Sequence, residues 1–195
     1  LHMSQHIVMS HVKVGPYPAH KGDDNGAYNR PLSEIREEVE ANNFDVFISI
    51  HSNAAGEGSP TNYPLFIFRG KDDETYSAPG SKAMAMHIWP YAFSNEHQMW
   101  SYYSKDNANV RGDLDFYGSG SETSNNGTNY MGYLGVLKHG VPGFLVEGYF
   151  HTYQPARQRA MNDDVCRHEG HLYARGLIDY MGWKAEKTGT IYGIV

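Results

Sequence analysis

Apolar and polar positions along the chain alternate between short strand-like runs and helix-spaced stripes, with turn formers between them. Val46, Phe47, Ile48 and Ile50 make a near-continuous apolar run, which suits a strand buried on both faces. Ser49, His51, Ser52 and Asn53 crowd its C-terminal end. Just upstream, Pro31 opens a helical pattern in which Leu32, Ile35 and Val39 recur, with Glu34, Arg36, Glu37, Glu38 and Glu40 on the expected solvent face. The residues 63–68 read as a strand demoted towards a sheet edge by Pro64. Ser81 to Phe93 suggest a helix, with Ala83, Met84, Ala85, Met86, Ile88 and Trp89, its methionines and tryptophan packed in the core, which Pro90 should kink or end. The run from Phe144 to Phe150 reads as a second buried strand, interrupted by one acid, Glu147. A helical tail opens at Pro155 and Ala156 and stops at Gly182, although Gly170 and Gly176 argue against one unbroken helix. Near the start, 7–12 reads as a strand and 15–26 as a loop.

This pattern predicts an α/β fold: a mainly parallel sheet with helices on both faces, in three layers. The stretch 98–132 breaks it, being rich in Tyr, Asn, Gly and Ser and poor in aliphatics. Its composition predicts a long, irregular, aromatic-rich insertion with little regular structure. Two readings of it stand side by side: a surface that stacks on and hydrogen-bonds sugar rings, or an irregular lobe packed on its own aromatics.

Length and charge narrow the picture. The 195 residues suit one domain with a sizeable core, and 40% hydrophobic residues are globular in character. A net charge of −6 argues against a nucleic-acid backbone as partner. The single cysteine, Cys166, excludes an intrachain disulfide framework and a cysteine zinc cluster. No apolar run is long enough for a transmembrane segment, and no signal peptide is evident.

Candidate chemistry follows from the two buried strands, each carrying one ionisable group, His51 and Glu147. If the strands are parallel neighbours, both side chains reach one crevice beyond the strand ends. A carboxylate there is costly unless paired or functional, and desolvation would raise its pKa towards that of a base useful near neutral pH. The histidine can be a metal ligand, a general base or a structural group, and a simple His–Glu hydrogen bond remains an alternative.

The same residues carry a resemblance. Phe44-Asp-Val-Phe-Ile-Ser-Ile-His-Ser-Asn-Ala54 resembles the Ser-Ile-His-x-Asn signature of zinc-dependent N-acetylmuramoyl-L-alanine amidases of the amidase-3 type. Arg30-Pro-Leu32 and Glu40-Ala-Asn-Asn43 resemble the approach to that signature. Val141-Pro-Gly-Phe-Leu-Val-Glu-Gly-Tyr-Phe150 resembles the family's late strand, and Leu172-Tyr-Ala-Arg-Gly-Leu-Ile-Asp-Tyr180 its closing helix. The resemblance implies a peptidoglycan or muropeptide substrate, a secreted or periplasmic location, His51 as a zinc ligand and Glu147 as the catalytic base. It leaves the substrate-contacting residues open.

The chain also departs from that pattern. The family takes two further zinc ligands from upstream, a histidine in an Asp-Pro-Gly-His-Gly type motif and a glutamate on the next helix, and neither motif occurs here. The chain is therefore expected to be the C-terminal part of the domain, with an incomplete metal site and a gap or exposed edge in its sheet. Candidate substitutes are His11, His20, Asp23, Asp24 and His151, and the cluster of His168, Glu169 and His171, each read more readily as a surface or packing group. The rival to an enzyme is a non-catalytic module that holds glycan or peptide through the 98–132 stretch.

Overall fold

A computed structural model describes residues 31–93 and 108–184. The expected strand at 7–12, the loop at 15–26 and the first part of the aromatic-rich stretch lie outside these residues, as do His11, His20, Asp23 and Asp24. In chain order the elements are α1 (Leu32–Ala41), β1 (Phe47–Asn53), β2 (Leu65–Phe68), α2 (Ser81–Phe93), β3 (Val110–Gly112), α3 (Asp113–Tyr117), β4 (Ser121–Asn125), β5 (Thr128–Gly132), a 3-10 turn (Gly135–Leu137), β6 (Gly143–Phe150), α4 (Gln154–Ala160) and α5 (Asp163–Tyr180).

Four strands form the main sheet in the order β1-β6-β2-β3. The β1–β6 and β2–β3 pairs are parallel and β6–β2 is antiparallel, so the sheet is mainly parallel. Alternation along each strand builds two cores. On one face Phe66, Phe68, Phe144 and Val146 pack with Met84, Ile88 and Trp89 of α2 and Tyr173 of α5. On the other, Leu65, Ile67 and Leu145 pack with Ile35 and Val39 of α1 and with Val136 and Leu137 of the 3-10 turn. Helices thus cover both faces, as the apolar pattern predicts.

Several local expectations change. Pro64 precedes β2 instead of interrupting it, so the strand keeps its ladder donors and sits in the sheet interior, paired on both sides. Among the described residues β1 is an edge strand, and it is only half-buried, with Ile50 61% exposed. Its apolar run does not translate into burial on both faces. Pro90 does not end α2, which runs on to Phe93. The bond its missing N–H forgoes is to the carbonyl of Met86, an exposed residue where water can take over. Met84 and Trp89 are fully buried, while Met86 is not.

The C-terminal helical tail is two helices. Asn162 separates them and caps the second, its Oδ1 accepting from the Asp164 N–H at 2.9 Å. Gly176 lies inside α5, where a Cβ would come within 3.1 Å of the Ile88 Cα on α2. Close helix packing, not a break, is the reason for that glycine. Gly182, at φ +64°, closes α5 in the left-handed conformation.

Regular structure also fills the described part of the aromatic-rich stretch. Strand β3 joins the main sheet, and β4 and β5 form a separate hairpin. Asn126 and Gly127, both at positive φ, make the tight turn between them.

Candidate functional site

The parallel pairing of β1 with β6 sets His51 and Glu147 opposite each other in register. Adjacent strands lie about 4.8 Å apart, and parallel partners project to the same side of the sheet. That side is the α1 face, because Phe47 and Leu145, two residues or an even step before each, pack in that core. The two candidate groups therefore share one face, at the carboxyl ends of two parallel strands. Leu65, the first residue of β2, pairs with Glu147 from the other flank.

The two groups differ in surroundings. His51 is exposed, and its Nε2 lies 2.9 Å from the Ser49 hydroxyl on the same face. Glu147 is half-buried, and its Oε2 is buried with no hydrogen-bond partner among the described residues. Desolvation pushes its carboxyl up to about 7. A carboxylate of that basicity is suited to act as a general base near neutral pH.

An aromatic wall stands beside Glu147. Tyr117, at the end of α3, packs on the α1-face core together with Phe116 and Tyr63. Burial and then the neighbouring Glu147 charge push its hydroxyl up to about 12. The Tyr133 ring stacks on it with centroids 3.9 Å apart and planes 16° from parallel. Behind the wall, the fully buried Asp113 accepts from three peptide N–H groups, those of Gly70 at 2.8 Å, Tyr133 at 2.7 Å and Leu134 at 2.9 Å. The sequence reading missed all three residues. The Asn126-Gly127 hairpin turn is the available signal that this stretch is folded.

Among the described residues, no other sequence candidate completes a metal-holding group with this pair. His151 falls past the end of β6 in a turn, and its Nδ1 lies 3.0 Å from the Ser52 hydroxyl. Glu169 turns inward beneath Gly148, where it accepts from the Tyr173 hydroxyl, and burial raises its pKa. Glu40, expected on a solvent face, accepts from the Tyr130 hydroxyl at 3.0 Å and from the Gly140 N–H, tying α1 to β5 and to the approach to β6.

A protein zinc site takes three or four donors. Among the described residues no group of three His, Cys, Asp or Glu side chains is placed to hold a metal ion. His51 and Glu147 alone do not fit a tightly held zinc. Among the described residues, too, no helix is long and apolar enough to cross a membrane.

No sequence-family model matches the chain. No curated protein matches it either. Solved structures do. The N-acetylmuramoyl-L-alanine amidase AmiC2 of Nostoc punctiforme superposes with a TM-score of 0.54 at 18% identity, over 75% of this chain and 63% of that one. An N-acetylmuramoyl-L-alanine amidase from Clostridium difficile 630 gives 0.55 at 19%, over 80% and 68%. The catalytic domain of CwlV, an N-acetylmuramoyl-L-alanine amidase from Bacillus (Paenibacillus) polymyxa var. colistinus, gives 0.53 at 16%, over 80% and 68%. This chain thus spans 63% of the length of the first and 68% of the other two. The likeness is one of fold: the chain has the mixed α/β architecture found in these three amidases.

Proposed function

We propose that the chain is a peptidoglycan amidase-like hydrolase acting on the amide between N-acetylmuramic acid and L-alanine. The single observation that supports this reading most is the in-register pairing of His51 with Glu147, whose desolvated carboxyl faces the same side. The fold likeness to amidases agrees with it. In this reading Glu147 takes a proton from the attacking water and returns it to the leaving amine nitrogen. His51 is the proposed zinc ligand. Since the described residues supply no three-donor group, zinc held by this chain is expected to be weak and turnover slow or absent. A cell-wall substrate places the protein outside the cytoplasm, secreted or periplasmic. The absence of a three-donor group among the described residues also favours a second reading, a non-catalytic module that binds the same substrate.

Muropeptide cleavage, followed across a zinc titration for the wild type and Glu147→Gln, decides between them. The expected result is weak, zinc-stimulated cleavage that Glu147→Gln lowers by about 10²–10⁴-fold in kcat. Cleavage unchanged by Glu147→Gln removes that residue from the mechanism. Tight one-to-one zinc with full turnover would mean that donors outside the described residues complete the site. Retained substrate binding with no cleavage under any condition leaves the binding module.

A further inference from the structure

We propose that the stacked Tyr117–Tyr133 pair is the platform on which a pyranose ring of the glycan strand rests while the neighbouring amide lies at Glu147. The inference builds on the peptidoglycan reading and names the part of the substrate that each region holds. Tyr117 belongs to the same packed face as Leu65 and Leu145, the residues adjoining Glu147 in the sheet, so platform and carboxylate are contiguous. Tyr133 is 45% exposed, so part of its ring is open to a ligand.

The pair is also held rigidly. Phe116 meets the Tyr117 ring edge-on, at 4.9 Å between centroids and 90° between planes. The Asp113 carboxylate fixes the Tyr133 and Leu134 peptides from beneath. Stacked face to face, each ring covers one face of the other, and Tyr117 backs the Tyr133 ring, whose outer face is the flat apolar plate left to a ligand. Such a plate suits the flat C–H face and equatorial hydroxyls of a sugar ring. A stem peptide, with no flat face of that size, makes less use of it. The elevated Tyr117 hydroxyl stays protonated at physiological pH and can donate to a sugar oxygen.

Equilibrium binding of peptidoglycan glycan chains freed of stem peptides, measured calorimetrically, tests the assignment. Wild type is expected to bind, Tyr133→Phe to bind comparably, and Tyr133→Ala to bind about tenfold more weakly, as when an aromatic stacking partner is lost. Should Tyr133→Ala fail to fold, Tyr133→Leu keeps bulk and apolar area without the plate: weakened binding supports the platform, unchanged binding overturns it. No wild-type binding at millimolar glycan overturns it as well. So does a Tyr133→Ala defect seen only with free stem peptide, which would assign the plate to peptide. This readout needs no turnover, so an inactive protein still reports on the platform, and failure of the amidase reading shows separately in the cleavage assay.

Discussion

Two carboxylates on opposite sides of the aromatic wall are displaced in the same direction for the same first reason. Burial raises both Asp113 and Glu147 above the ordinary carboxylate range. They diverge in what else surrounds them. Asp113 is fully buried, yet three peptide N–H groups and the Arg69 charge favour its ionised form. Glu147 is less buried, and no opposing influence offsets its desolvation. One carboxylate is used up in holding backbone; the other keeps an oxygen uncommitted. Depth of burial alone would assign the unusual chemistry to the wrong acid. Hydrogen-bond satisfaction separates an anchor from a reactive group.

The strongest way to break this contrast is to remove the anchor. Asp113→Ala leaves three peptide N–H groups, that of Gly70 buried and those of Tyr133 and Leu134 partly so, without their acceptor and should cost about 3–5 kcal/mol, read as a lowered urea midpoint. Asp113→Asn keeps the shape but points an amide N–H₂ at a peptide donor, so a smaller loss is expected. If both variants unfold like the wild type, Asp113 is not an anchor.

The next largest effect concerns a third buried group. His139 is buried edge-on against the Phe47 ring, and burial pushes it down to about 4. Its folded value lies below the ordinary 6.5, so the stability it permits is complete above pH 6.5 and is lost as pH falls towards 4. The loss amounts to about 3 kcal/mol. Replacing His139 with Leu should flatten this part of the pH–stability curve relative to the wild type, as followed by circular dichroism in urea. An unchanged slope would mean that His139 does not titrate with unfolding.

Glu147 gives the smallest effect, with the opposite sign. Its folded value, about 7, lies above the ordinary 4.5. Stability is therefore complete below pH 4.5 and falls as pH rises through 7, because the unfolded chain releases the proton first. Glu147→Gln should be more stable than the wild type by about 2 kcal/mol at pH 8 and equal to it near pH 4. A variant that loses stability at pH 8 would show that Glu147 has a partner that compensates its charge.

Much of this arrangement was legible in the sequence, for identifiable reasons. An unbroken apolar run marked β1 and β6, and an acid inside such a run marked Glu147. Pro79 and Gly80 stand just before the start of α2 at Ser81, whereas Pro90 falls inside the helix and does not mark its end. The face shared by His51 and Glu147 was an inference conditional on parallel pairing, and the pairing is parallel. Burial was harder to read, because it depends on place in the sheet: the apolar β1 lies at an edge, and the β2 run, discounted for Pro64, lies inside. The region 108–132 was opaque because a few of its polar residues hold backbone inside the fold, as Asp113 does. Asp113 and Asn125 are buried there, and composition counts them as surface. Only the Asn126-Gly127 turn announced order there, and a two-residue signal carries little weight without its flanking strands.

The bare backbone at Gly176 has a consequence for how this protein tolerates change. With the Ile88 Cα and the Tyr91 ring where any substituent would go, the gauge between α5 and α2 is set by a missing atom. Larger residues at 176 would wedge the two helices apart, and no rotamer at 88 relieves a clash with main chain. Drift at this crossing must therefore come as matched shifts of whole helices, which ties the packing of α5 on α2 to β6, the strand that carries Glu147.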